Sequence, residues 1–559
     1  MAPFQAIFCV ALIINAVATF RSSSYWNKYK HLFGFSEPNG AQSAEHSNPN
    51  PNPENSTPLL DESSGDGEAK AKHNAIMKKY LAVYLLAVFS DWLQGPYVYA
   101  LYDSYGYSQH SIAVLFVAGF GSSMVFGTFM GGLADAGGRK KFTIFFAVIY
   151  ALSCVTKHFK DFKVLMLGRL LGGVATSLLF SVFDSWLIKS HAAQGCSSYL
   201  SNAFATAQYG NSIIAIVAGL MANHAAEITK LKPVNEVVNK NDGDAVLYMG
   251  GYLNPFDMAL VALVVCGVLA MVLWEENYGE EKQNKHEDSF NQNDENDRDA
   301  KKVTRWYDAF TNAFFTTINS KEILYTGLIC SLFEGSMYIF VFMWTPAMKA
   351  KTTGVIPFGL VFATFMVGCM AGSSIFSVLI TKMKNEKIGI IAFGIATGTF
   401  ILMALAPTDT LAMVAFLLFE LTVGIYFPMM GTMKSGIVPE SKRTAIYNLY
   451  RIPLNFIVLF SLLTDLSPKQ SFGLCTVMMG TALLLQTKLV EHQRTFYKAS
   501  ASSSASGDGK GVDLESGTVV QAVVQDQKQS EGYVHPTSSG SGLSDEDSET
   551  ASLVGAKSD

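Results

Sequence analysis

Charged residues are scarce in this sequence. Only 16% of its 559 residues are Asp, Glu, Lys or Arg, where a soluble protein carries about 25%. Those charges cluster, so long segments have almost none, and in water such segments would expose large apolar patches. A soluble enzyme is excluded on this ground. Cysteines number seven: Cys9, Cys154, Cys196, Cys266, Cys330, Cys369 and Cys475. Six lie in apolar stretches and none forms a Cys-x-x-Cys pair, so ordinary buried thiols are expected rather than a disulfide framework or a zinc site. The sequence contains no GxxxxGK[ST] loop, catalytic triad or metal-ligand cluster, which argues against an ATP-driven pump, an enzyme or a cofactor-bound protein. With a net charge of −5 there is no basic excess for nucleic acid.

What is abundant is apolar length. A helix needs about 20 mostly apolar residues to cross the bilayer core. That ruler places spans near 3–20, 80–101, 111–132, 142–157, 163–188, 202–222, 254–274, 323–346, 357–380, 388–406, 411–433, 445–463 and 470–490. The expected architecture is therefore an all-α polytopic membrane protein: one leading helix, then six, then six. Residues 1–22 form an N-terminal anchor helix and 23–79 a disordered cytosolic linker, its 37–72 stretch rich in Asn, Pro, Ser and acids. An N-terminal six-helix bundle over 80–274 and a C-terminal one over 323–490 flank a charged cytosolic connector at 275–322. Residues 491–559 form a disordered cytosolic tail. Its acidic run at 544–549 fits either a phosphorylation site or a merely solvated tail.

Orientation follows from Lys and Arg in short loops. Arg139, Lys140 and Lys141 share one turn, Lys382, Lys384 and Lys387 another, and Lys434, Lys442 and Arg443 a third. All fall on one face, read as cytosolic, if residue 80 enters from the cytosol. The opposite face is not clean, because Lys157, Lys160 and Lys163 lie there. The leading helix has no basic residue before it, while Arg21, Lys28 and Lys30 follow it. An uncleaved anchor with its N-terminus outside is expected.

The two sixes echo each other at a constant offset of 251 residues. Gly121-Ser122-Ser123-Met124 recurs as Gly372-Ser373-Ser374-Ile375; Asp135 matches Glu386, Gly138 matches Gly389, Arg169 falls on Glu420 and Gly173 on Gly424. Two related six-helix halves are the arrangement in which a transporter binds its substrate between them. The sharpest motif is the turn at 131–141. Gly131 permits close helix approach, Gly138 a tight turn, and Asp135 can accept hydrogen bonds at a neighbouring helix end, where the dipole favours a carboxylate. Together with Arg139 and Lys140 these residues read as a conformational latch, or more blandly as a topogenic basic loop.

At Gly131, Leu133, Asp135, Gly138, Arg139 and Lys140 the sequence resembles the major facilitator superfamily, whose second and third helices are joined by G-x-L-x-D-x-x-G-R-[RK]. The basic residue usual after the acid is here Ala136. The likeness sharpens in DWLQGPYVYALY (91–102), GRLLGGVATSLLFSVFDSWL (168–187), NPFD (254–257), WEENYG (274–279), FEGSMYIFVFMWTP (333–346), FELTVGIYFP (419–428) and NLYRIPLN (448–455). These resemble the molybdate-anion transporter branch, the major facilitator superfamily domain-containing protein 5 family. The resemblance covers about 80–490. It implies the major facilitator fold, two pseudo-symmetric bundles with a short leading helix, a molybdate-like oxyanion as substrate, and the plasma membrane. A lipid-embedded monomer is expected.

Ionisable side chains inside a span cost about 2.5–3.5 kcal/mol or more, so they should face a cavity and have partners. The candidates are Asp91, Arg169, Asp184, Glu334, Glu420 and Arg451. A tetrahedral dianion needs fixed positive charge and a ring of donors, and guanidinium supplies a planar fork that stays charged. Arg169 and Arg451 are therefore candidate substrate ligands, with Gln94, Asn211 and Asn448 as neutral donors near them. Tyr97 and Tyr426 are further donors. Asp91, Glu334 and Glu420 are candidates for proton coupling or for ion pairs with the arginines. The alternatives are a transporter of an organic solute such as a sugar or small acid, or a non-transporting sensor or scaffold.

Overall fold

The computed structural model describes residues 2–22, 62–234, 247–278, 311–439 and 442–505. The stretch 23–61, most of the charged connector, and the acidic run at 544–549 lie outside the described residues. The first helix is α1 (Ala2–Ser22). The first six-span unit comprises α2 (Glu62–Gln94) with α3 (Val98–Ser104), then α4 (Gln109–Gly137), α5 (Arg139–Thr156), α6 (Phe162–Leu179) with α7 (Val182–Ala193), α8 (Leu200–Ile228) and α9 (Asn254–Leu273). A short helix over 311–319 precedes the second unit. That unit is α10 (Lys321–Lys349), α11 (Phe358–Leu379), α12 (Asn385–Leu405), α13 (Asp409–Ile437), α14 (Arg443–Leu463) and α15 (Pro468–Ala505). The only strands among the described residues, Lys232–Pro233 and Tyr248–Met249, pair antiparallel.

Eleven of these helical segments are long and apolar enough to cross a membrane. The other two expected spans are present as helices, with charges in or beside their apolar stretches: Lys78, Lys79 and Asp91 over 77–94 of α2, and Arg139, Lys140 and Lys141 at the start of α5. The outer surface of the helical body shows large apolar side chains, among them Phe180, Val272, Phe456 and Val477. In water those would be costly; against acyl chains they are not.

Three expectations need correction. The linker does not run to residue 79: α2 begins at Glu62, because Ala69, Ala71 and Ala75 favour helix, Glu68 pairs with Lys72 one turn on, and His73 packs against His191 and Tyr199. The tail does not begin at 491, since α15 continues to Ala505. Two spans are broken rather than continuous. Pro96 offers no N–H, and the chain turns between Gln94 and Val98; α6 stops at Leu179 and α7 restarts at Val182.

The repeat is visible in packing. In the first unit Gly173 meets the Gly119 carbonyl with no room for a Cβ, and Ser122 Oγ donates to Leu170 O at 3.2 Å. In the second, 251 positions later, Gly424 meets the Cys369 carbonyl in the same way, and Ser373 Oγ donates to Gly424 O at 3.0 Å. Both units thus close the same helix pair, α4 on α6 and α11 on α13, through glycine contacts.

The units also meet each other. Asp103 pairs with Lys349, His110 faces Asp465 at 2.8 Å, and Gln109 Nε2 donates to Leu466 O at 3.1 Å. The Gly359 amide donates to Tyr97 Oη at 3.3 Å. Phe342 stands edge-on to Tyr99 and Phe116. These contacts between the units lie at the end away from the basic turns. The structure is closed at that far end. Helix α1 packs along α11: Asn15 donates to Met370 Sδ at 3.4 Å, and Thr19 meets Ser374 at 3.1 Å. The pairs ascend together, so the two helices run parallel.

Candidate substrate-binding site

Arg169 enters from α6. Its Nε donates to the Leu115 carbonyl at 3.1 Å, and its guanidinium lies over the Phe116 ring at 4.7 Å. A Cβ at Gly119 would approach it to 2.5 Å, so glycine there is what admits the side chain. Phe116 touches Phe120, and Phe120 stands edge-on to Tyr338 of the second unit at 5.2 Å. Tyr338 lies within the electrostatic reach of both Arg451 and Glu334. An aromatic path therefore runs from Arg169 on one half to Tyr338 on the other.

Arg451 is exposed although it sits inside a span, and Asn448, three residues earlier on the same helical face, is exposed too. Glu334 accepts a hydrogen bond from Tyr426 Oη at 2.9 Å, and the Tyr426 ring is stacked on Phe333 at 3.9 Å. Asp91 likewise accepts from Tyr150 Oη. Neither acid pairs with an arginine among the described residues. Asn211 accepts from Trp92 Nε1 at 2.8 Å, which fixes its oxygen and leaves its amide hydrogens to point elsewhere. Gln94 is 5% exposed and donates to Ser90 O, so it serves the end of α2. Glu420 is buried where α13 meets α11, beside Gly368, and forms no ion pair with an arginine among the described residues.

The basic turn has a different construction from the one its sequence suggests. Asp135 accepts from Arg139 Nε at 2.8 Å, one turn along the chain. The carboxylate at a helix N-terminus is instead Glu276, which accepts from the Lys140 amide at 2.9 Å. Gly138 has φ +108°, and a Cβ there would meet the Glu276 carboxylate. The Arg139 amide donates to Asn277 O at 3.0 Å, and Asn277 Nδ2 reaches Trp186 O and Ser190 Oγ. Trp274 stacks on Trp186 at 4.1 Å. Segment 274–277 is thus a clasp beneath the turn. Nothing in spacing could reveal it, because its partners lie 136 residues away; the family-like run WEENYG was its one sign. The aromatic and Met residues Phe340, Phe342, Trp344 and Met429 are all buried in packing.

Comparison with known proteins gives a consistent result. The major facilitator family profile described as sugar transporters with 12 transmembrane segments matches residues 57–419. A molybdate-anion transporter of Takifugu rubripes is 31% identical over 435 residues, 73% of this chain and 86% of the relative. One of Xenopus tropicalis is 31% identical over 428 residues, 73% and 84% respectively. Among solved structures, the nucleoside transporter NupG superposes with a TM-score of 0.54 at 10% identity, covering 74% of this chain and 99% of that one. A D-xylose–proton symporter gives 0.51 at 14% identity, with 75% and 97% covered.

Proposed function

This chain belongs to that major facilitator family of multi-pass membrane transporters, and on that premise we propose that it imports molybdate, or a closely similar oxyanion, by alternating access of its two halves. The observation that carries the reading is the pair of arginines, Arg169 and Arg451, one on each half, with no carboxylate partner among the described residues. Unpaired guanidinium inside a span is costly, and a dianion between the halves would neutralise both charges. Asn211 and Asn448 supply neutral donors. The relatives named molybdate-anion transporter support the same substrate class. Gln94 is left out of the set because its amide is committed to α2.

Import of an anion into a negative cytosol needs driving energy. Asp91 and Glu334 are held by tyrosine hydroxyls rather than by guanidinium groups. Each can take up a proton without first breaking an ion pair, which suits proton co-transport. The basic turns face the cytosol and the plasma membrane is the site of action.

Uptake of labelled molybdate into a molybdate-starved host tests this, with sulfate and tungstate as competitors. Saturable uptake is expected, and Arg451→Lys should reduce it at least tenfold at unchanged surface amount, because a point charge cannot replace the bidentate fork. Wild-type affinity in that variant would reject direct recognition by Arg451. The family profile's own description favours a second reading, transport of a sugar. Uptake of a sugar with no molybdate import would establish it, and transport of no solute would leave a scaffold.

A further inference from the structure

We propose that the groove between the short helix over 311–319, α10 and α14 binds an anionic phospholipid of the cytosolic leaflet, with an acyl chain in the groove and the phosphate at its basic edge. The groove has a volume of about 390 Å³, within the range of ligand pockets, about 300–1,000 Å³. Its walls are Phe314 and Ile318 of the short helix, Leu324 and Leu328 of α10, and Leu449 and Ile452 of α14. Two side chains with hydroxyls also line it, and both are turned to backbone. Thr317 Oγ1 donates to Ala313 O at 2.8 Å, and Tyr450 Oη donates to Ile323 O at 2.8 Å. Neither hydroxyl proton is left for the groove, so the groove suits an apolar occupant. The Tyr450 ring takes the place that a Cβ at Gly327 would need and closes the inner side.

The groove opens towards lipid, not towards the central cavity. At about 100° per residue, Leu449 and Pro453 stand on the side of α14 opposite Arg451. Phe456 and Phe460 continue that side, 68% and 59% exposed. Positive charge collects at one edge. Lys442 Nζ donates to Thr316 Oγ1 at 3.0 Å, which holds the ammonium beside the short helix, next to the wall residue Thr317. Lys321 opens α10 one turn before Leu324 and shares its face. Both lysines are exposed, and neither forms an ion pair among the described residues. Glu322, the acid beside Lys321, faces His492 at 3.6 Å instead. The lysines stand at the starts of α10 and α14, where the helix dipole disfavours a cation. They do not serve their helices there, but they suit an anion from outside. Inorganic phosphate would answer the charges and leave the groove empty, and a zwitterionic lipid would do the reverse. An anionic phospholipid does both, and such lipids populate the cytosolic leaflet, the side on which the basic turns are placed. Bound there, it braces the cytosolic ends of the two helices that carry Glu334 and Arg451.

The test follows thermal unfolding of the purified full-length protein in detergent, with graded dioleoyl phosphatidylserine and, as the zwitterionic control, dioleoyl phosphatidylcholine. Phosphatidylserine should reach half-maximal stabilisation at about a tenth of the concentration that phosphatidylcholine needs, and Lys321→Gln combined with Lys442→Gln should reduce that difference to about twofold. Ile452→Trp fills the groove from its open side and should weaken the response to both lipids. Equal stabilisation by the two lipids in the wild type, or none by either, overturns the site. A preference for phosphatidylserine that survives the double lysine substitution places the anionic lipid elsewhere and rejects the proposal. A response untouched by Ile452→Trp rejects it too, because the chain would then lie outside the groove. The lysine variant, whose two side chains are exposed, decides alone if the Trp variant does not fold. None of these outcomes bears on the oxyanion reading.

Discussion

His158 is held through both ring nitrogens: Nδ1 faces the Tyr248 carbonyl at 3.0 Å and Nε2 faces Asp257 at 2.9 Å. Both partners only accept, so the imidazolium, with two N–H donors, satisfies them together. The Asp257 hydrogen bond, helped by the Tyr248 carbonyl and opposed by burial, holds this histidine above its ordinary pKa. A raised folded-state value stabilises the protein fully below the unfolded pKa of about 6.5, and that contribution is lost as pH rises through the folded value. The unfolding temperature of the wild type should therefore exceed that of Asp257→Asn most clearly at pH 6, with the gap narrowing towards pH 8.5. A gap independent of pH would show that the pair is not titrating. Arg169, Arg451, Asp91 and Glu334 were legible in the sequence because a charge inside an apolar run stands out. Lys157 and Glu276 were not: each lies at the edge of a span, where charges are commonplace, and only packing shows that one is buried and the other caps a helix.

Helices were legible wherever apolar length alone decides them, and less so where a local break or a contact far along the chain intervenes. Residues 180–181 interrupt an apolar run without a proline or glycine to mark the place. The start of α2 depends on His73 meeting α7, which composition cannot express. The turn between α4 and α5 shows how the two levels combine. The tight turn expected at Gly138 has a φ of +108°; the reason no other residue fits is also the Glu276 carboxylate against it. Gly138→Ala should destabilise the protein by about 1–3 kcal/mol, the usual cost of such a backbone strain. Glu276→Gln keeps an acceptor for the Lys140 amide but loses the charge at the start of α5, so about 0.3–1 kcal/mol is expected. Thermal unfolding of the two variants should rank them in that order; a larger loss from Glu276→Gln would mean that its charge does more than cap α5.

At the scale of the whole molecule, the closed far end and the direction of α1 bear on one question, the side of the membrane on which each loop lies. Helix α11 begins at Phe358, beside the far-end contacts with Tyr97, and ends at Leu379, just before the basic turn with Lys382 and Lys384. Helix α1 runs parallel to it, so Ala2 lies towards the far end and Ser22 towards the basic end. If the basic turns face the cytosol, the chain leaving α1 enters the cytosol, and Arg21 at its last turn agrees with that sense. Asn55-Ser56-Thr57 is the only N-x-S/T sequon in the sequence and lies between α1 and α2. It reports on this orientation, because glycosylation occurs only on the lumenal side. Expressed in a glycosylating host, the protein should show no glycosidase-sensitive mass shift. A shift abolished by Asn55→Gln would place the segment outside. The parallel packing of α1 on α11 would then require the whole bundle to be inverted, with the closed end facing the cytosol.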